Sequence, residues 1–154
     1  MTSKAAKGNV AKYSSYAYAF KRINQAMTDR YYLEAITICE SIITDRLLSY
    51  GEYITKKDIG EKATLGKVLT KIKKDKNFVM NEETEHLLEE VDLWRGKRNR
   101  CVHAVAKSKP GTPTSEVGDF LTEAAACAAT GKYLARKVSD WHKKIKKEHA
   151  KSSN

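Results

Sequence analysis

Apolar residues recur through most of the chain at spacings of three and four, the period of a helix that buries one face. The first such stripe consists of Tyr13, Tyr16, Phe20, Ile23 and Met27. Residues 29–50 carry two stripes at once, and a helix that is apolar on most of its sides is expected at the centre of a bundle. We expect Thr28 or Asp29 to begin this second helix and Gly51 to end it.

Three further helices follow the central one. The stretch TLGKVLTKIKK predicts a short basic helix, since its apolar residues share one face. Asn81 is placed to cap a helix over residues 82–105, whose first turn is acidic and whose end is basic, the order that the helix dipole favours. The predicted core positions of this helix are Leu87, Val91, Trp94, position 98, Val102 and Val105. A long last helix follows the loop KSKPGTPTSE.

These elements predict an all-α bundle of about five helices, with the helices at 29–50 and 82–105 packed antiparallel at its centre. A length of 154 residues fits one domain, and the content of 8 glycines and 2 prolines argues against a fold with many tight turns. We assign residues 12–148 to this domain, residues 1–11 to a disordered basic tail and residues 149–154 to a flexible tail.

The chain is basic, with a formal net charge of +10, so it is expected to attract polyanions at low salt. The charge is uneven: residues 132–151 hold eight Lys or Arg against two acids, and residues 56–76 hold eight against three. Residues 82–92 hold six acids and no Lys or Arg. This distribution favours basic patches over uniform basicity, although Lys-rich helix faces are often merely solvated.

The cysteines, histidines and hydropathy limit the chemistry further. Cys39, Cys101 and Cys127 are widely spaced and lie among apolar residues, which is typical of buried thiols in a reducing compartment. Neither they nor the four histidines show the spacing of metal ligands, so we expect no metal and no cofactor. Without an apolar leader or a run of about 18 apolar residues, we expect a cytoplasmic protein that does not enter a membrane.

Two charged residues stand on apolar stripes. Arg98 continues the stripe that contains Val91 and Trp94, a costly position for an unpaired cation. Glu40 interrupts a stripe of the central helix and is the first candidate to pair with Arg98, while Asp45 is the second. A buried ion pair with a structural role alone would explain Arg98 and Glu40 equally well.

His103 lies five residues after Arg98 in the stretch RNRCVH, residues 98–103. At ~100° per residue, an ideal helix turns His103 about 140° away from Arg98, and a bend or a helix end would bring the two closer. The stretch resembles the motif of the HEPN superfamily (higher eukaryotes and prokaryotes nucleotide-binding): an arginine, a polar residue directly after it, and a histidine a few residues later. The likeness in helix order extends over most of residues 13–145.

The resemblance implies a metal-independent endoribonuclease that cleaves RNA by attack of the 2′-OH, of a kind that often serves as a toxin or a defence effector. His103 would then be the general acid or base, and Arg98 would bind the scissile phosphate. Asn99 would orient His103 or contact the RNA, and Glu40 would hold Arg98 in place. Lys97, Arg100 and Arg95, on the same helix, are candidates to bind RNA.

The resemblance also implies a homodimer, because one histidine is sparse for a reaction that takes one proton and gives another. Apolar residues beside the motif, including Trp94 and Val105, would form part of its interface, although such residues are more often core. An antitoxin or another protein partner is compatible with this interpretation. Two other classes stay open: a non-catalytic HEPN module that binds nucleotide or nucleic acid, and a helical protein-interaction subunit whose charge is solubilising.

Overall fold

The computed structural model describes residues 4–78, 81–104 and 117–153, which form five helices and no strand. The helices are α1 (Lys4–Thr28), α2 (Tyr32–Thr55), α3 (Leu65–Lys74), α4 (Glu82–Ala104) and α5 (Val117–Ser152). The prediction of an all-α bundle of about five helices is confirmed. Pro113 and Val105, to which the sequence assigned a helix start and a core position, lie outside the described residues.

Side-chain caps fix the start of two helices. The Thr64 hydroxyl accepts a hydrogen bond from the Lys67 backbone N–H at 3.3 Å, at the start of α3. Asn81 Oδ1 accepts one from the Thr84 N–H at 2.8 Å, which confirms the predicted cap of α4. Each cap satisfies a backbone donor that has no partner within its helix.

Gly51 lies inside α2 and does not end it, contrary to the prediction. The helix continues to Thr55, and Lys56 ends it in the left-handed conformation with φ of 55°. A Cβ added at Gly51 would lie 2.9 Å from Ile59 Cδ1 and 3.2 Å from Ile72 Cγ1. The glycine is therefore explained by close packing of α2 against the following segment and α3.

The central helix α2 packs mainly against α5, and this corrects the predicted pairing of α2 with α4. Gly131 of α5 explains the difference, because a Cβ there would lie 3.3 Å from Cys39 Cβ of α2 and 2.7 Å from Trp94 Cζ2 of α4. The missing side chain lets α5 approach both helices closely. The Trp94 indole N–H donates to the Cys127 carbonyl at 2.9 Å and holds α4 on α5.

The inner face of α4 follows the predicted stripe through Leu87, Val91 and Trp94 and then departs from it. Val102, predicted as core, is 38% exposed, whereas Cys101 is 5% exposed. Cys101 lies seven residues after Trp94 and contacts Cys127 of α5, so that α5 covers this side of the helix. All three cysteines are free and buried, as predicted.

The described residues at both ends of the chain are helical. Residues 4–11 belong to α1, in agreement with their content of alanine and lysine, which favour helix. Residues 149–152 belong to α5. The His149 ring stacks on Tyr53 of α2 with ring centroids 4.3 Å apart, and this contact ties the end of α5 to the bundle.

Candidate functional site

Arg98 of α4 and Glu40 of α2 form an ion pair between the two helices. The Arg98 Nη2 contacts Glu40 Oε1, so the predicted contact is confirmed. The side chains are 20% and 23% exposed, which leaves the pair largely shielded from water. Asp45, the second candidate, instead binds Lys12 Nζ at 3.0 Å and accepts a hydrogen bond from the Tyr16 hydroxyl.

Asn99 binds the other terminal nitrogen of the same guanidinium. Arg98 Nη1 donates to Asn99 Oδ1 at 2.7 Å, so the residue next to the arginine helps to orient it. Arg98 Nε is buried and has no hydrogen-bond partner among the described residues. Partial burial lowers the pKa of Arg98 from its ordinary value, because desolvation disfavours the charged form. Glu40 and Asn99 offset that cost by binding the two terminal nitrogens of the guanidinium.

His103 lies on a different side of α4 from Arg98. The helix continues to Ala104, so no helix end separates the two residues, and the ideal rotation of about 140° at ~100° per residue applies. Arg98 is largely buried against α2, whereas His103 is exposed. Within one chain, the structure therefore brings together Arg98, Asn99 and Glu40 but leaves His103 apart from them.

The three cationic residues proposed to bind RNA occupy two surfaces. Lys97 and Arg100 are exposed and line a cleft of about 260 Å³ between α4 and α5, beside the Cys101 and Cys127 thiols. Arg95 pairs with Asp92 on its own helix, with Nε and Nη2 each 3.0 Å from the carboxylate. Lys97 and Arg100 thus keep solvent-facing charges near the motif, while the charge of Arg95 is partly neutralised.

Apolar residues other than Trp94 are exposed on α4 and at the start of α5. Trp94 is 1% exposed and belongs to the core, so it is not part of an interface with another molecule. Leu93 is 71% exposed, Val102 38% and Leu121 42%. Of these, Val102 lies within the RNRCVH stretch and Leu93 lies five residues before Arg98.

A second cleft, away from the RNRCVH stretch, was not predicted from the sequence. It has a volume of about 600 Å³ and lies between α1, α2 and α5. The excess of Lys and Arg in residues 132–151 was the one available signal for it. That signal could not show which cations meet, because the cleft depends on residues from three helices.

The described residues hold no group of three or more His, Cys, Asp or Glu side chains that could bind a metal ion. None of the helices in the described ranges is long and apolar enough to cross a membrane. Comparisons of the chain with protein-family models, with curated proteins and with solved structures found no significant match.

Proposed function

We propose that this chain is a metal-independent endoribonuclease of the HEPN type. The observation that carries the proposal is the guanidinium of Arg98, bound by Glu40 and Asn99 within a stretch that ends at the exposed His103. A largely buried ion pair does not by itself favour stability over an apolar pair. An oriented arginine and an exposed histidine within one short stretch support phosphate chemistry, for which both side chains are suited.

The proposed reaction uses the nucleophile that RNA itself contains. A histidine removes the proton of the 2′-OH, the 2′ oxygen attacks the neighbouring phosphorus, and the bond from phosphorus to the 5′ oxygen breaks. A second proton-transfer group protonates the leaving 5′ oxygen, which yields a 2′,3′-cyclic phosphate and a 5′-hydroxyl end. Arg98 stabilises the negative charge that develops on the phosphate oxygens.

Two copies of the chain are needed in this proposal, because Arg98 and His103 point to different sides of one helix. A two-fold axis near the motif would place the His103 of one copy opposite the motif of the other, and it would supply both proton-transfer groups. Val102, which is 38% exposed within the RNRCVH stretch, would give such an interface an apolar contact.

The test is cleavage of a single-stranded RNA by the purified protein in EDTA, with the matching DNA as a substrate that lacks the 2′-OH. We expect cleavage of the RNA alone and at least a ~10²-fold loss of rate in His103→Ala, the usual contribution of a general acid or base. Arg98→Ala should lose a similar factor. His86→Ala is the matched control, because His86 is an exposed histidine on the same helix outside the motif.

The dimer is tested separately, by measuring the activity of wild-type protein mixed with the His103→Ala variant. If both histidines of a dimer are required, equal parts of wild type and His103→Ala should retain about a quarter of the activity after subunit exchange, not half. Retention of half of the activity in the mixture would contradict the composite site. So would sedimentation that shows only a monomer at micromolar concentration. Equal cleavage by wild type and His103→Ala would assign the activity to a contaminant and leave a non-catalytic RNA-binding module, for which the cations Lys97 and Arg100 suffice.

Toxicity on expression is the cellular counterpart of this test. A toxin or defence role predicts slow growth of cells that express the wild type and normal growth with His103→Ala at the same protein level. Equal growth of the two strains would contradict that role while leaving the cleavage assay decisive for the chemistry.

A further inference from the structure

The cleft between α1, α2 and α5 is a second concentration of functional groups. Its described lining residues come from these three helices and none comes from α4, which carries the RNRCVH stretch. Five cations line it: Lys12, Arg46, Arg136, Lys143 and Lys146. Asp140 is the one acid among the lining residues, and Asp45 neutralises Lys12 from the edge. The cleft therefore keeps a clear excess of positive charge.

Its two arginines are held by aromatic rings. The guanidinium carbon of Arg46 lies 4.1 Å from the centroid of Tyr16, and that of Arg136 lies 4.4 Å from the centroid of Phe20. Stacking fixes the plane of a guanidinium and leaves the donors at its edge free for a planar or tetrahedral anion. Neither guanidinium forms a salt bridge within the described part of the chain. Arg46 Nε is buried without a hydrogen-bond partner there.

The interior of the cleft contains a polar group that the fold does not use. Ser139 is 6% exposed, and its hydroxyl has no hydrogen-bond partner among the described residues. Buried hydroxyls are normally bonded, so this one calls for an external partner. His142, three residues later, lies 3.3 Å from the Ser49 hydroxyl through Nε2.

The cations impose a positive potential on this cleft. Burial, together with Arg46, Lys12 and Lys146, lowers the pKa of His142 to about 4, against the opposite effect of Asp45. The imidazole is therefore neutral near pH 7 and adds a hydrogen-bonding group without adding to the repulsion among the cations. A bound anion would relieve that repulsion.

We propose that this cleft binds a small molecule that carries two or more phosphate groups. Its volume of about 600 Å³ is in the range of small-molecule sites. With Asp45 and Asp140 counted against the five cations, a single phosphate of at most about two negative charges would still leave positive charge in the cleft. The Tyr13 side chain, 74% exposed and part of the lining, offers a flat face to a ring attached to the phosphates. The enclosed Ser139 hydroxyl favours a compact ligand over an extended strand of nucleic acid.

The experiment is isothermal titration calorimetry of the whole chain in EDTA at low salt, with pyrophosphate and ADP as probes. Both should bind with one site per chain, and tighter binding of ADP would assign a contribution to its ring. Arg136→Gln should weaken both by about tenfold or more, the scale of a charge-assisted hydrogen bond. Lys147→Gln is the matched control, since it removes an exposed charge from the same helix outside this cleft.

Ser139→Ala separates binding from folding. It should weaken pyrophosphate binding severalfold without lowering the urea midpoint of unfolding, because the deleted hydroxyl has no hydrogen-bond partner among the described residues. His103→Ala should bind both probes as the wild type does, so that this result stands whether or not the chain cleaves RNA.

Three results would overturn the proposal. They are the absence of binding by either probe at millimolar concentration, an equal loss in Arg136→Gln and Lys147→Gln, and no loss in Ser139→Ala. Binding of single-stranded RNA that Arg136→Gln weakens, with neither probe bound, would make the cleft a nucleic-acid surface and refute a small-molecule site.

Discussion

Replacing Glu40 by alanine would leave the Arg98 guanidinium largely buried without its carboxylate. Arg98 would keep its hydrogen bond to Asn99 Oδ1, but that amide carries no charge to balance it. The pKa of Arg98 is already lowered by burial, a direction that indicates a net desolvation cost for the charged form. The arginine remains protonated at pH 7, so the cost appears as lost stability rather than as deprotonation.

The expected loss follows from the exposure of the two side chains. Removal of one partner from a fully buried pair costs about 3–5 kcal/mol, whereas an exposed pair contributes about 0–1 kcal/mol. With 20% of Arg98 and 23% of Glu40 exposed, the pair lies nearer the buried limit, and solvent reduces the penalty. We expect Glu40→Ala to lower the free energy of unfolding by about 2 kcal/mol.

The assay is urea unfolding followed by circular dichroism at pH 7, with Glu34→Ala as the matched control. Glu34 is a glutamate of the same helix, and its partner Arg22 is bound at 2.7 Å with exposed fractions of 46% for Arg22 and 36% for Glu34. The control should lose much less stability than Glu40→Ala, because water screens an exposed pair. Equal losses in the two variants would refute the claim that burial makes the Arg98 pair different. A double variant, Glu40→Leu with Arg98→Met, should regain most of the stability.

Two further predictions concern packing and protonation. Gly131→Ala places a methyl group 2.7 Å from the Trp94 ring and should cost about 1–3 kcal/mol in the same urea assay. Gly96→Ala, whose added Cβ would lie 4.0 Å from Arg100 Nη1, should be neutral or stabilising. The pKa of His142, about 4 in the folded chain, lies below the ~6.5 of an unfolded histidine, so the unfolded state takes up the proton first and stability falls as pH drops through that window. His142→Gln should remove that part of the acid sensitivity. If the free energy of unfolding falls by the same amount in His142→Gln and in the wild type between pH 7 and pH 4, the prediction is wrong.

The sequence predicted the positions of the helices better than it predicted which helices pack against each other. The Asn81 cap and the apolar stripe of α3 act within a few residues, so the sequence was sufficient to place them. The packing of α2 on α5 depends on Gly131. From the sequence alone, a glycine at this position indicates only a lower helix propensity. The prediction that Gly51 ends α2 was wrong for the same reason. A sequence does not distinguish a glycine that permits close packing from a glycine that ends a helix.

The sequence likewise predicted some features of the candidate site and not others. Arg98 and Glu40 were predictable as a pair because each interrupts an apolar stripe, and the cost of a buried charge demands a partner. The rotation of Arg98 away from His103 follows from the helical period, because α4 continues past both residues to Ala104. The cleft around Ser139 was not predictable, since it requires the rotations of three helices at once.

The double variant also bears on why the chain contains Arg98 at all. If Glu40→Leu with Arg98→Met folds with nearly the stability of the wild type, the ion pair is not required by the fold, since apolar pairs often replace such contacts without loss. Loss of RNA cleavage in that stable protein would then assign the arginine to the reaction. Retained cleavage would instead show that Arg98 is a structural residue and would refute its proposed role at the phosphate. Stability and activity measured on the same variant therefore separate the two explanations that the sequence left open.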